Sequence, residues 1–569
     1  MCLAPAAAGA GRTPADRLAT AAIEKLLHRG PDGYGVIGDG GSAVAMCRLR
    51  VRSRPSATVP FTTPAGATAF AFNGEVYAVG SGARAGEGLV DVPAGGLDEA
   101  EGVDGHGPAD LDGMYALLRR TQDGAIEVTR DPLGIKPLYL RRHRDGAAVA
   151  SEIPALLELF GPSPVRPEAV TQFLLFGRVV DGGTFFEGIE PVAPGARLLL
   201  KEGRVQQLPT GSEGPPPTRP DTPAGPERIR AAVARAVDRV LVSDRPLGLA
   251  LSGGLDSTVL ATELARRGVR DLSTVSVLPR GNGDGVREPA DLRLPGTSWQ
   301  SWRHRSVDFG PDDLLDGIPD AVRSLGEPTA LTSVPMYAAL ARLARESGIV
   351  VLLVGEGADE VFGGYRSYLG LAATAGAADF YLPGERSGLL RGLVGAPAYD
   401  AARDALLDAL PTAADRPVGD VVREFEYEHS LEPLLRRADH LLMAQGVEGR
   451  TPFLHGGLPA LAASLPFEAL VRDGQTKVPL RQAYAAELPH FLNEVKKPFR
   501  APVDDWLTGP RAARVRADLA GHLDRLEASG LRPDALGGLL DGIAAGDATA
   551  NGLAFPLLTL GAWLEWLAI

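Results

Sequence analysis

Leu247-Gly-Leu-Ala-Leu251 is an apolar run, and Ser252-Gly-Gly-Leu-Asp-Ser-Thr258 follows it without a break. The pattern predicts a buried strand that enters a glycine turn and leaves it as a helix opened by Asp256, Ser257 and Thr258. Such a turn aims a row of backbone N–H groups and a helix N-terminus at one point, which suits an anion. Gly253 and Gly254 let the backbone approach a phosphate with no Cβ in the way. No lysine follows the second glycine, so this is not the loop that holds the β- and γ-phosphates for γ-transfer.

Working outward, residues 227–242 predict a helix, 247–251 a strand, 257–267 a helix and 272–278 a strand. A helix near 334–347, a strand at 349–354 and mainly helices follow. Alternation of this kind gives a parallel sheet, here with a helical C-terminal half. Residues 208–226 are dense in Pro, Gly, Ser and Thr and read as a linker. Before it lie short β-like runs at Ala69–Phe72, Met114–Arg119, Ile126–Thr129, Leu138–Leu140 and Ala196–Leu200, with one helix at about 14–27. These predict a β-rich sandwich. The expected organisation is therefore a domain over 1–207, the linker over 208–226 and a second domain over 227–569.

Composition narrows the function classes. At 569 residues the chain has room for two or three domains, and 45% hydrophobic with 23% charged residues is ordinary for a globular protein. A net charge of −13 argues against nucleic acid or a membrane surface as partner. Cys2 and Cys47 are the only cysteines, which leaves no disulfide framework and no zinc ligand set. No apolar run approaches the ~18 residues of a membrane span, so a cytoplasmic enzyme is expected.

Cys2 follows Met1, and removal of the initiator would expose a thiol beside a free α-amine that can act as its base. Four further segments accompany it: His28-Arg-Gly-Pro-Asp-Gly-Tyr-Gly35, Phe72-Asn-Gly-Glu-Val-Tyr77, Arg130-Asp-Pro-Leu-Gly-Ile-Lys-Pro-Leu-Tyr139 and Ala150-Ser-Glu-Ile153. In this order they resemble the N-terminal-nucleophile glutaminase domain of asparagine synthetase B-type enzymes. That resemblance implies Cys2 as nucleophile, with Asn73 and the Gly74 amide as oxyanion hole. It implies Arg48 on the glutamine α-carboxylate, Glu75 on the substrate's polar end and Asp98 on its α-amino group. Leu3-Ala-Pro-Ala is expected to make a poor strand, because Pro5 removes a donor.

The second half extends the likeness. Val354-Gly-Glu-Gly-Ala-Asp-Glu-Val-Phe-Gly-Gly-Tyr365 follows the apolar strand Ile349–Leu353, and carboxylates such as Asp359 and Glu360 there suit Mg²⁺ shared with phosphates. Gly446-Val-Glu-Gly-Arg-Thr-Pro-Phe-Leu-His455 resembles a family element, with Gly449 and His455 as departures. So do Gly474-Gln-Thr-Lys-Val-Pro-Leu-Arg481 and Lys496-Lys-Pro-Phe-Arg500. Residues 284–302 do not resemble the acceptor-side segment. The family pyrophosphate loop implies ATP at Leu251, Ser252, Gly253, Gly254, Asp256, Ser257, Thr258, Val277, Val354 and Gly355. It also implies metal at Asp256 and Asp359, Glu356 near the acyl-adenylate, and Lys477 at the reacting phosphate.

The resemblance implies an αββα N-terminal-nucleophile sandwich followed by a parallel-sheet pyrophosphate-loop domain, an α/β and α+β two-domain chain. It implies an ATP- and Mg²⁺-dependent amidotransferase that hydrolyses glutamine, adenylates a carboxylate (aspartate or a specialised-metabolite acid) and aminates it with ammonia through an internal tunnel. A homodimer is compatible with it. Two alternatives stay open. One is an amide ligase using another amine, β-lactam synthetase-like or lasso-peptide cyclase-like; Glu356 and Cys2 point away from the former. The other is a non-catalytic scaffold.

Overall fold

The computed structural model describes residues 2–5, 14–52, 59–62, 68–79, 90–91, 110–210, 225–280, 294–382, 384–412, 416–492 and 499–567, with only the backbone for 2–5, 90–91 and 372–373. The N-terminal domain stacks two antiparallel sheets. In the first, Cys2–Pro5 lies between Gly146–Ala150 and Ala43–Cys47, with Tyr34–Gly38, Tyr139–His143 and Ile189–Pro191 outside them. The second is built on Ala69–Val79 paired with Leu111–Arg120, and continues through Ile126–Arg130, Arg197–Lys201 and Arg204–Leu208. Alternation along these strands turns Val44, Phe70, Tyr115, Ile126, Leu140 and Val149 into one apolar layer between the sheets. Helix Ala15–Ile23 covers the outer face of the first sheet through Ala15, Ala19, Ala22 and Ile23.

Several expectations change here. Cys2–Pro5 does form a strand, pairing Cys2 with Val149 and Val44. Its contact with Ala43–Cys47 ends at Leu3, so Pro5 sits where only one neighbour remains and its missing N–H is tolerated. At the bounds of the expected linker, Leu208 closes a strand and Pro226 opens helix Pro226–Val240, at the first-turn position that needs no N–H. Helices Ile153–Phe160 and Pro167–Phe176 were not anticipated in a β-rich half.

The C-terminal domain carries a five-stranded parallel sheet in the order Arg303–Phe309, Ser273–Pro279, Leu247–Ala250, Val351–Leu353, Glu448–Arg450. Chain order runs outward from Leu247–Ala250 in both directions, so the sheet reverses between that strand and Val351–Leu353. Loops leaving adjacent strands at such a reversal diverge and open a crevice at their C-terminal ends. Residues 252–254 and 354–357 are those loops.

The two domains share apolar clusters. Tyr77, Met114 and Ile135 join Ile229, Val237, Leu353 and Phe453 in one, and Phe185 and Phe186 pack edge-on to Trp563 in another. Arg450, fully buried on the last strand of the parallel sheet, adds a polar tie. It donates to the carbonyls of Val240 and Val242 at 2.7 Å and to Glu448 at 2.8 Å, and it reaches Glu75 of the N-terminal domain at 3.4 Å. Arg450→Met would leave buried carboxylates and carbonyls facing a thioether. The expected outcome is a loss of about 3–5 kcal/mol, read as a lower denaturation midpoint; a midpoint equal to that of the unsubstituted protein would contradict this role.

Candidate active sites

At the sheet reversal, Gly253 adopts φ +73° and Gly254 caps helix Leu255–Arg266, so the loop backbone turns sharply without side chains. Ser252 Oγ lies 3.2 Å from Ser257 Oγ, and Ser276 donates to the Leu251 carbonyl to pin the strand end. Ser257 and Thr258 are buried, whereas Ser252 is exposed. The ladder from Leu247–Ala250 to Ser273–Pro279 ends at Val275, so Val277 runs past it with its side chain in the core.

Lys477 organises this crevice. Its ammonium donates to Asp256 Oδ1 at 2.5 Å and pairs with Asp359 Oδ1 at 2.8 Å. Burial works against the charge, but Asp256 and Asp359 together hold the Lys477 pKa above its ordinary value. Its backbone sits at φ +55°, a conformation few non-glycine residues take, at the start of helix Val478–Ala483. Gly364 is the residue that makes room. A Cβ there would fall 1.8 Å from Asp359 Oδ1 and 2.2 Å from Lys477 Cε. A Cβ on Gly355 would fall 3.1 Å from that of Asp256.

Asp359 and Glu360 do not act as a pair. Glu360 turns inward to accept from Tyr365, and burial, with Asp359 beside it, raises its pKa to about 7. The carboxylates that converge are Asp256 and Asp359. Among the described residues no group of three or more His, Cys, Asp or Glu is clustered for a metal. Mg²⁺ commonly takes one or two carboxylates and completes its shell with phosphates and water, and this pair fits that need. Glu356 Oε1 accepts from Arg437 Nη2 at 2.6 Å; Arg437 also donates to Ser333 and lies 4.8 Å over the Tyr337 ring.

A second cavity, of about 110 Å³, lies under the N-terminal sheets. Arg48, Arg52, Asn73, Gly74 and Glu75 line it, and Met443 and Glu448 of the C-terminal domain close one side. The backbone of Cys2 pairs with Val44, whose strand continues into the cavity wall. Asn73 Nδ2 is buried without a hydrogen-bond partner. Gly74 has φ +117°, and a Cβ there would come 1.9 Å from the Met114 carbonyl oxygen. Arg48 lies 5.4 Å over the Phe61 ring, and burial, with Arg50 adding to it, lowers its pKa. Glu75 faces Arg52 at 3.3 Å as well as Arg450. Burial outweighs both arginines and raises its pKa to about 7. Asp98 and the Lys496-Lys497 pair lie outside the described residues.

Three contributors escaped the sequence reading. Gly364 was only one of two glycines in a quoted run, and its part needs the distance to Lys477. Arg437 sat among many arginines, and Arg450 was one residue of the quoted run 446–455 with no role given to it; burial marks them both.

The chain matches the asparagine synthase family over residues 228–565 and a glutamine amidotransferase domain over residues 1–81 and 101–209. It belongs to the asparagine synthase family and is a carbon–nitrogen ligase of that family. A Mycobacterium tuberculosis relative, provisionally named a glutamine-hydrolysing asparagine synthetase, is 28% identical over 73% of this chain and 71% of its own. Glutamine-hydrolysing asparagine synthetase 1 of Bacillus subtilis is 26% identical over 71% of this chain and 70% of its own. Arabidopsis thaliana asparagine synthetase 3 reaches 31% identity over 45% of this chain and 41% of its own. No described helix is long and apolar enough to cross a membrane.

Gly364→Ala tests the crevice. The added methyl would force Lys477 and Asp359 apart, so ATP–pyrophosphate exchange is expected to fall by about 10²-fold, the usual cost of one misplaced stabilising group. Glutamine hydrolysis in the same variant should change little, and full exchange activity would contradict the geometry.

Proposed function

We propose that the protein is a glutamine-dependent, ATP-driven amide synthetase that releases AMP and pyrophosphate, with 1–207 as glutaminase domain, 208–226 as linker and 227–569 as synthetase domain. The observation that carries this reading is the Lys477 ammonium held between Asp256 and Asp359 beside an open glycine loop at the sheet reversal.

In the glutaminase half, the α-amine of Cys2 takes the proton of its own thiol, and the resulting thiolate attacks the glutamine side-chain amide carbon. Asn73 Nδ2, buried and without a partner, and the Gly74 N–H supply donors for the oxyanion. Arg48 receives the glutamine α-carboxylate. Glu75 is already engaged by Arg52 and Arg450, so its part is to hold those arginines and to receive the substrate amide when they yield. Asp98 is retained as partner of the α-amino group. The adduct collapses to a thioester as the α-ammonium returns the proton to the leaving nitrogen and ammonia departs for the second site; water then cleaves the thioester to release glutamate.

In the synthetase half, Leu251, Ser252, Gly253, Gly254, Ser257 and Thr258 cradle the pyrophosphate of ATP, with Val277, Val354 and Gly355 around the nucleoside. Asp256 and Asp359 would hold Mg²⁺, which supplies charge neutralisation at the β- and γ-phosphates when bound. The acceptor carboxylate attacks the α-phosphorus, pyrophosphate leaves, and ammonia displaces AMP from the acyl carbon. Lys477 stabilises negative charge on the phosphate and on the tetrahedral oxygen, and Glu356 takes the proton that the attacking ammonia sheds. L-Aspartate is the first acceptor to test, and other carboxylic acids the alternative.

Cys2→Ala is expected to abolish glutamine-driven AMP release while ammonium chloride still supports it. Equal loss with both nitrogen donors would refute the two-site reading. ATP–pyrophosphate exchange across a panel of acids beginning with L-aspartate identifies the acceptor. Lys477→Met is expected to lower kcat for AMP release by ~10²–10³ with a smaller change in KM. Lys477→Arg should restore little, because the planar fork does not fit a niche shaped for an ammonium between two carboxylates. Turnover within a few-fold of the unsubstituted enzyme would remove Lys477 from the chemistry.

A further inference from the structure

The interface between the two sites is lined by matched charges. Arg29 donates to Glu152 at 2.8 Å and to Asp439 at 2.6 Å, and Lys136 donates to Asp439 at 3.1 Å. Arg436 pairs with Glu327 and Arg437 with Glu356. All of these but Arg436 and Glu356 are almost wholly buried, and those two are largely so. Burial would raise the Asp439 carboxyl, yet Arg29 and Lys136 hold it well below the usual range. His440 stands among them, 1% exposed, with neither Nδ1 nor Nε2 hydrogen-bonded. A buried imidazole with two unmet nitrogens is costly unless a small polar molecule fills the gap.

Its position says which molecule. Helix Leu431–Met443 carries Arg437, which touches Glu356 of the synthetase crevice, and Met443, which closes the glutaminase cavity. His440 lies midway between them, and the two ends are about 9 Å apart along the helix axis. Its ring lies 6.5 Å from that of Tyr139, across the domain boundary. Arg29 borders both the glutaminase cavity and the Asp439 pair. The carboxylates in this zone are each already matched by a guanidinium or ammonium, so no counter-charge is left to stabilise an ammonium ion. Burial, with Arg29 also opposing the charge, lowers the His440 pKa, which keeps the ring neutral. A neutral imidazole can both accept an N–H of ammonia and donate to its lone pair.

We propose that His440 is a positioning residue that hydrogen-bonds neutral ammonia in transit between the glutaminase cavity and the Glu356 crevice. The inference rests on the two-site reading above. It is tested in the full-length enzyme with glutamine, ATP and whichever carboxylate supports pyrophosphate exchange, by counting glutamate formed per AMP released. His440→Leu keeps the bulk and removes both nitrogens, so the glutamate-to-AMP ratio should rise about two- to tenfold, the worth of one hydrogen bond. Synthesis driven by saturating ammonium chloride should fall less than synthesis driven by glutamine. His440→Gln, which returns a donor and an acceptor, should bring the ratio back toward that of the unsubstituted enzyme. A purely structural histidine would lower melting temperature and both half-reactions together at constant ratio, and that result overturns the proposal. An unchanged ratio in His440→Leu overturns it too. If the unsubstituted enzyme shows no glutamine-driven AMP release, the two-site reading fails first.

Discussion

One ammonium between two carboxylates gathers the synthetase crevice. Asp256 comes from the helix after the central strand, Asp359 from the short helix Ala358–Phe362 after its neighbour, and Lys477 from a turn more than a hundred residues later. None of these segments would hold its conformation for local reasons alone. Lys477 takes a left-handed backbone, and the segment at 354–364 spends four glycines on close approach. The attraction of Lys477 for both aspartates compensates for burying it, which is why its charge persists although its own side chain is closed off from solvent. Because the carboxylates converge there, an incoming metal would meet a preorganised pair, with Lys477 free to turn to phosphate oxygen.

The same principle, charge buried only when matched, governs the joint between the domains. Arg29, Glu152, Lys136 and Asp439 form a chain in which Asp439 of the C-terminal domain is held between Arg29 and Lys136 of the N-terminal domain, and Arg450 links Glu448 to Glu75 across the same joint. Ion pairs of this kind add little net stability over apolar packing but tolerate one alignment only. They therefore fix register between the two cavities, while the shared apolar clusters around Phe453 and Trp563 supply the bulk of the adhesion.

Much of this was legible in the residues. Strand, glycine turn and helix at 247–266 follow from apolar run and breaker alone, and the parallel order follows from the alternation of elements. The two candidate aspartates and Lys477 do meet. What could not be read is long-range. Glu360 is as acidic in sequence as Asp359, and only burial against Tyr365 separates their roles. Glu75 was assigned to substrate, and sequence gave no means of seeing Arg450 arriving from the other domain. Helices Ile153–Phe160 and Pro167–Phe176 carry weak local signals and are held by the core they cover.

The departures from the family element at 446–455 also find their reasons in distance rather than in sequence. A Cβ on Gly449 would fall 2.7 Å from Leu442 Cδ1, so the small residue lets the last strand of the sheet lie close to helix Leu431–Met443. His455 is buried edge-on to Tyr77, and its Nδ1 lies 3.5 Å from Asp112, both residues of the opposite domain. Burial would raise the Asp112 carboxyl, but the hydrogen bond and charge of His455, with Arg239 behind it, lower it instead. A carboxylate at position 455 would face Asp112 across that joint, and like charges at such range repel. The substitution thus belongs to the matching of charge across the interface, the same rule that surrounds His440 with paired ions.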